Sequence, residues 1–175
     1  MDTSLRLVAV KGAPRAHSQY LRANPPYVRR DDPAVKVMTD FTHEIATTIG
    51  AERRLDDALN ELFRSSVRAL LVTSEQQVRG LVTVRDLRGE SIAHSDYRAW
   101  RDSLLVADVM TSANDMPTID WQVVLDATVG DLAEIFQGTG VECLVVMESE
   151  SSALVRIRGL IHRSRLERQM GHYAG

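Results

Sequence analysis

Two polar residues at the end of an aliphatic run, Thr83 and Asp86, offer the clearest chemistry in this sequence of 175 residues. They lie in the segment GLVTVRDL, residues 80–87. If the run is a strand that ends at Thr83, Asp86 falls in the first turn of the next helix, near its positive end. A carboxylate there can accept hydrogen bonds from two vicinal ribose hydroxyls, as acidic residues do in dinucleotide sites. The Thr83 hydroxyl can donate to a phosphate or ribose oxygen at the same strand end.

The spacing of Thr83 and Asp86 has a second explanation, a helix capping box. In that motif each side chain hydrogen-bonds the backbone N–H of the other residue, and the pair serves only to start the helix. Ribose binding and capping do not exclude each other. The spacing alone therefore leaves both roles open.

The elements that must position these residues occur twice in the chain. The segment LDDALNELFRSSVRALLV (55–72) aligns without a gap with VGDLAEIFQGTGVECLVV (129–146). In each copy, apolar residues recur at the spacing of one helix face, and an aliphatic run typical of a buried strand follows. A polar turn and a second strand come next, VRGLVT (78–83) or RIRGLI (156–161), and each copy then enters a helix of mixed charge.

Similar lead-in segments precede the two copies, VKVMTDF (35–41) and VADVMTSA (106–113). The duplication predicts an α+β fold built from two repeats, each with the order strand, helix, strand, strand, helix. The predicted domain bounds are an N-terminal arm or extension at 1–34, the first repeat at 35–93, a linker helix at 94–105, the second repeat at 106–170 and a tail at 171–175.

The composition excludes several classes of protein. A formal net charge of −3 argues against a dedicated nucleic-acid partner. The single cysteine, Cys143, fits a reducing compartment and a buried core position. No apolar run approaches the roughly 18 residues of a membrane-spanning helix, so we expect a cytoplasmic protein with no membrane partner. The histidines are scattered, and no nucleophile, base and orienting group recur at catalytic spacing, so we expect neither an enzyme nor a metal site.

The duplicated pattern resembles a tandem pair of CBS domains, also called a Bateman module. The resemblance rests on the paired VMT lead-ins (37–39 and 109–111), on VRALLV (67–72) and on GLVTVRDL (80–87), and it covers about 35–170. It implies two repeats packed around a pseudo-two-fold axis, with adenine-containing ligands bound in the clefts between them. It also implies a regulatory protein without catalytic activity that often forms a homodimer.

The resemblance assigns ligand-binding roles to residues of the first repeat. Thr83 and Asp86 fall on the positions that bind ribose. Arg68, at the edge of the VRALLV strand, is expected to contact phosphate, because a guanidinium can form two parallel hydrogen bonds to phosphate oxygens. Arg85 is a weaker second candidate for that contact. The apolar strand residues and backbone groups expected to hold the adenine are Leu81, Val82 and the stretch 45–48, which ends in Thr48.

The second repeat departs from this pattern at three points. His162 stands where the hydroxyl of Thr83 stands, Arg165 replaces the acid, and Glu142 occupies the place of Arg68. A guanidinium cannot accept the protons of ribose hydroxyls, and a carboxylate repels phosphate. We therefore expect one competent nucleotide site, in the first repeat.

These observations predict a stand-alone regulatory module that binds AMP, ADP, ATP or S-adenosylmethionine and signals to an unidentified partner protein. No other cofactor is required by the sequence. The alternative is a pair of repeats that has lost ligand binding and acts as a dimerisation scaffold.

Overall fold

The structure is a computed structural model that describes residues 6–7, 27–89, 102–151 and 154–171. The fold is α+β and divides into two compact units. The first unit comprises Met1–Leu7 and Ala46–Met116, and the second comprises Val8–Ile45 and Pro117–Gly175. None of the helices in the described ranges is long and apolar enough to cross a membrane.

Short strands and helices alternate along the chain. From the N-terminus to the C-terminus they are β1 (Arg6–Leu7), a 3₁₀ helix (Ala34–Val37), β2 (Thr39–Asp40), β3 (Thr48–Gly50), α1 (Leu55–Ser65), β4 (Ala69–Ser74), β5 (Gln77–Thr83), α2 (Val84–Leu87), α3 (Val106–Val109), β6 (Thr111–Ser112), β7 (Thr118–Asp120), α4 (Trp121–Asp126), α5 (Val129–Thr139), β8 (Cys143–Ser151), β9 (Leu154–His162) and α6 (Arg163–Gly171).

The sheet of the first unit has the strand order β3, β4, β5, β6. Strand β3 runs parallel to β4, whereas β4–β5 and β5–β6 are antiparallel. Helix α1 repeats its apolar residues at helical spacing and so has one apolar face. That face packs on one face of this sheet. The buried cluster on that face consists of Leu55, Ala58, Leu62, Leu70, Val72, Val82, Leu87 and Val106.

The sheet of the second unit repeats this arrangement. Strand β7 runs parallel to β8, β8 is antiparallel to β9, and β9 is antiparallel to β2. Its core forms where β8 and β9 pack on helices α4, α5 and α6 and the 3₁₀ helix, and it includes Val37, Val124, Leu132, Phe136, Leu144, Val146, Ile161 and Leu166. The two repeats recognised in the sequence therefore form equivalent sheets.

The lead-in strands join the sheets in an unexpected way. Strand β2 lies in the lead-in of the first repeat but pairs with β9, and β6 lies in the lead-in of the second repeat but pairs with β5. A glycine makes room for each pairing. A Cβ added to Gly80 would collide with the backbone oxygen of Thr111, and one added to Gly159 would collide with that of Thr39. The sequence repeats and the compact units therefore have different bounds.

Several local features differ from the sequence expectations. The strand predicted to begin at Val67 begins at Ala69, because Ser66 ends α1 in the left-handed conformation and Val67 donates back to the Leu62 carbonyl. The helix after β5 is a single turn as far as Leu87.

The predicted arm and linker are described only in part. In the arm, residues 27–34 are described, and Val28 and Ala34 are buried in the core of the second unit. Residues 90–101, which hold most of the predicted linker helix, lie outside the described ranges, and residues 102–105 are not helical. Most of the predicted tail, 172–175, also lies outside them.

Candidate functional site

The polar residues proposed from the sequence meet at one end of the first sheet. In the β4–β5 ladder Ala69 pairs with Thr83, which places Arg68 beside the end of β5. Thr48 begins β3 and pairs with Leu71 two residues further along β4. Because β3 and β4 are parallel and β5 is antiparallel, Thr48, Arg68 and Thr83 belong to the same sheet end.

At that end, Thr83 and Asp86 form a complete capping box at the start of α2. The Asp86 Oδ2 atom accepts hydrogen bonds from the Thr83 backbone N–H at 2.8 Å and from the Thr83 hydroxyl at 2.8 Å. In return, the Asp86 N–H donates to Thr83 Oγ1 at 3.4 Å. Thr83 is only 8% exposed, and Gln169 is the one other polar residue that is buried in the described ranges. The cap fixes both side chains at the sheet end.

An equivalent capping box at another helix shows that these hydrogen bonds alone do not indicate ligand binding. Thr128 and Asp131 start α5 with bonds of 2.8 Å, 2.8 Å and 3.2 Å in the same pattern. The hydrogen bonds that Thr128 donates through its backbone and its side chain lower the pKa of Asp131. This second box starts α5, the helix that precedes β8, whereas the Thr83–Asp86 box starts the helix that follows β5. The bonds between Thr83 and Asp86 are therefore those of a helix cap, and a ligand role depends on their position in the fold.

The remaining candidates have different degrees of exposure. Leu81 and Thr83 are buried on one face of β5, whereas Val82 lies on the other face, inside the cluster that packs on the helices. Thr48, Arg68 and Arg85 are exposed. Arg68 makes no hydrogen bond or ion pair to the residues that the structure describes. A contact between Val82 and a ligand stays a prediction, and its side chain is committed to the core.

The corresponding end of the second sheet is built from different chemistry. The His162 Nδ1 atom accepts the Ser164 backbone N–H at 3.2 Å and so caps α6. Arg165 is half-buried, and its Nη1 atom donates to the Thr39 hydroxyl at 2.6 Å. The Glu142 carbonyl accepts the Arg163 N–H at 2.9 Å. The hydroxyl and carboxylate that the first repeat presents are thus replaced by an imidazole and a guanidinium.

A depression of about 340 Å³ lies between β3 and α1 in the first unit. Its charged side chains pair with one another, Arg53 with Asp57 at 3.1 Å and Arg64 with Glu61 at 2.6 Å. The full lining is Thr48, Ile49, Gly50, Arg53, Asp57, Asn60, Glu61 and Arg64. It includes one residue proposed from the sequence, Thr48, but not Thr83 or Asp86.

The sequence analysis missed an ion-pair cluster around Arg158 in the second unit. Arg158 binds Asp40 through two bonds of 3.0 Å and Glu148 through bonds of 3.1 and 3.2 Å. Its guanidinium also stacks on Trp121, 4.4 Å from the ring centroid. Glu148 accepts a further bond of 2.8 Å from Arg156. The β8–β9 ladder brings Glu148 to the two arginines, and the pairing of β2 with β9 adds Asp40, which is 118 residues from Arg158.

Comparison with known proteins identifies the type of fold. The CBS-domain family model matches residues 38–92. A search of curated protein sequences finds no match.

Solved CBS-pair structures share the fold. The CBS-pair protein CBSX2 from Arabidopsis thaliana is 18% identical and superposes with a TM-score of 0.52 over 78% of this chain and 92% of its own. The CBS-domain protein ATU1752 from Agrobacterium tumefaciens is 22% identical, with a TM-score of 0.54 over 71% of this chain and 83% of its own. CBSX2 has also been solved in complex with AMP.

A third similar structure comes from a transporter. It is the CBS domain of the bacterial CNNM/CorC family Mg²⁺ transporter in complex with ATP, which is 15% identical with a TM-score of 0.52 over 80% of this chain and 88% of its own. At these identities the likeness concerns the fold.

Proposed function

We propose that this chain, a tandem CBS pair by its fold and by the family match of residues 38–92, is a regulatory module that binds an adenine nucleotide through its first repeat. The observation that carries the proposal is the position of Thr83 and Asp86, capped and fixed at the sheet end inside the matched segment. Asp86 accepts the ribose hydroxyls, and the Thr83 hydroxyl donates to a ribose or phosphate oxygen.

Two further features support this assignment. A carboxylate has about four lone-pair sites, so the cap and a ribose contact are compatible at Asp86. Arg68 is exposed beside Thr83, and a guanidinium in that place suits a phosphate. CBSX2 binds AMP and the CNNM/CorC CBS domain binds ATP, which makes these two nucleotides the first ligands to test.

The proposed module has no catalytic activity of its own and acts on a separate partner protein in the cytoplasm, as a homodimer. S-adenosylmethionine and ADP are the other candidate ligands. The remaining proposed contacts are Arg85, as a second contact to phosphate, and Leu81, Val82 and Thr48, which hold the adenine.

A thermal-shift panel of AMP, ADP, ATP and S-adenosylmethionine tests the nucleotide site. A ligand at 100 times its dissociation constant stabilises the folded state by about 2.7 kcal/mol, which raises the melting temperature by several degrees. The expected result is a shift with at least one nucleotide that is lost in Asp86→Ala.

The matched control is Asp131→Ala, which removes the equivalent carboxylate from the other capping box. Both substitutions cost a helix cap, so both lower the melting temperature without ligand, but Asp131→Ala keeps the nucleotide shift. A shift that survives in Asp86→Ala, or that disappears in both variants, contradicts the proposed site.

The second candidate function is a ligand-free dimerisation scaffold. The observation that favours it is the second repeat, in which His162 and Arg165 stand in place of the hydroxyl and the acid. A constant dimer in light scattering, together with silence of the whole nucleotide panel, would support the scaffold.

A further inference from the structure

Arg165 differs from the other well-packed arginines of the second unit in having no carboxylate partner among the described residues. Arg156, Arg158 and Arg163 expose 25%, 16% and 31% of their side chains, and each forms an ion pair. Arg165 is half-buried, and its one hydrogen bond within the described residues goes to the Thr39 hydroxyl. Burial lowers the pKa of its guanidinium.

No carboxylate among the described residues forms an ion pair with Arg165. Glu44 attracts it without forming an ion pair, and Arg168 on the same helix repels it. A cation withdrawn from water normally has an anionic partner, since desolvation of a charge is costly unless it is offset. Arg158, which is also partly buried in the same unit, has two such partners.

The donors at this place suit an oxyanion. A guanidinium carries five N–H groups in a planar fork, and one of them here reaches Thr39. The Thr39 oxygen accepts that bond, so its own hydroxyl proton can be donated to a third group. The fork and the hydroxyl together offer the donors that a phosphate oxygen requires.

We propose that Arg165 and Thr39 form a binding site for a phosphate-type oxyanion in the second unit, at the place where the first repeat has its ribose-binding acid. The site takes the phosphate portion of a di- or triphosphate and does not recognise a nucleoside. This inference is independent of the nucleotide site in the first repeat, because no residue is shared.

Calorimetric titration of the full chain with inorganic pyrophosphate, at fixed ionic strength, tests the proposal. The expected result is saturable binding that weakens roughly tenfold or more in Arg165→Met, the loss expected for charge-assisted hydrogen bonds. Arg165→Lys, which keeps the charge but loses the fork, should fall between the wild type and Arg165→Met.

The matched control is Arg163→Met, which removes a charge from the same helix where it is already paired with Glu167. It should leave pyrophosphate binding within about threefold of the wild type, since an exposed ion pair contributes little. Equal weakening by Arg163→Met and Arg165→Met would show that binding depends only on the net charge of the protein and would overturn the proposal. Sulfate binding of the same strength would indicate adventitious anion binding and would overturn it as well.

Stability without the anion separates ligand binding from a structural role. Removal of a half-buried charge that forms no ion pair with the described residues should leave the melting temperature of Arg165→Met unchanged or higher, whereas Arg158→Met should lower it. A fall in Arg165→Met as large as that in Arg158→Met would assign Arg165 to the fold and overturn the site.

Adenosine and pyrophosphate distinguish the two proposed sites. Adenosine binding should be lost in Asp86→Ala and kept in Arg165→Met, and pyrophosphate binding should show the reverse. A wild-type protein that binds pyrophosphate but not adenosine would count against the first-repeat site and leave this one standing. No pyrophosphate binding by the wild type would overturn the oxyanion site whatever the nucleotide result.

Discussion

At the scale of single residues, Thr83 and Asp86 cap helix α2 in the structure, and we propose that they also bind a nucleotide. In the cap, Asp86 Oδ2 accepts both the N–H and the hydroxyl of Thr83. Thr128 and Asp131 perform the same folding task at α5. The two pairs therefore provide an internal comparison in which capping is held constant and only the place in the fold changes.

This comparison predicts the effects of removing either hydroxyl. Thr83→Ala and Thr128→Ala should each lower the free energy of unfolding by about 1 kcal/mol, because each helix loses its capping side chain. Only Thr83→Ala should also weaken nucleotide binding. Urea denaturation followed by circular dichroism measures the first effect, and calorimetry measures the second. Equal nucleotide affinity in the two variants would leave Thr83 as a cap alone.

At the scale of elements, the lead-in strands β2 and β6 lie in close backbone contact with the strands beside them. Strand β2 also contacts two arginines. The Thr39 and Asp40 side chains bind Arg165 and Arg158, and the Thr39 backbone lies against Gly159. A two-residue strand offers few ladder hydrogen bonds of its own. The ion pair between Asp40 and Arg158 therefore adds to the stability of this pairing.

The close approach at Gly159 makes it intolerant of a side chain. Gly159→Ala should destabilise the protein by about 1–3 kcal/mol, because the new methyl group collides with the Thr39 carbonyl and overpacks the contact. Gly138→Ala is the matched control, since a methyl group there meets no atom within 4 Å. In a helix that change should stabilise by up to about 1 kcal/mol. Thermal denaturation of both variants measures the difference.

The Arg158 cluster predicts a pH-dependent stability. Burial disfavours ionised Asp40 and Glu148, but hydrogen bonds outweigh it and lower the pKa of both carboxyls. The donors are Arg158 and Thr42 for Asp40, and Arg156 and Arg158 for Glu148. Carboxyls with a lowered folded pKa stabilise the protein above their unfolded pKa of about 4, and this contribution is lost as the pH falls through the lowered value.

Arg158→Met should therefore reduce the free energy of unfolding by about 2–3 kcal/mol at neutral pH, and by progressively less below pH 4. Arg29→Met, which removes an exposed pair of 3.7 Å, is the control and should cost at most about 0.5 kcal/mol. Urea denaturation across the pH range gives both curves. A penalty for Arg158→Met that does not change with pH would show that packing on Trp121 matters more than the carboxylates.

The success of the sequence analysis depended on how local each feature is. Helix α1 and strands β4 and β5 follow from apolar spacing within a few residues, and the α+β fold expected from the duplication is confirmed by two equivalent sheets. The pairing of β2 with β9 could not be predicted, because a two-residue strand has no periodicity. The partners Asp40 and Arg158 are 118 residues apart, and no local pattern joins them. The contact of Arg165 with Thr39 was hidden for the same reason.

At the scale of the whole molecule, the asymmetry between the repeats predicts the number of nucleotides bound. The first repeat presents a carboxylate and a hydroxyl at its sheet end, and the second presents Arg165 and His162. Adenosine binding, measured by equilibrium dialysis, should saturate at about one molecule per chain. Two molecules per chain would mean that the second repeat binds ribose without an acid.

The exchange of lead-in strands between the sheets also has a consequence for how such a gene can change. The sequence repeat and the folded unit differ by one strand, because β2 and β6 each complete the sheet of the other repeat. Recombination at the repeat borders would therefore give each sheet an edge strand from a different parent. Gly80 and Gly159 would then have to accommodate the backbone of a lead-in strand from another protein. We therefore expect the two repeats to be transferred together between genes.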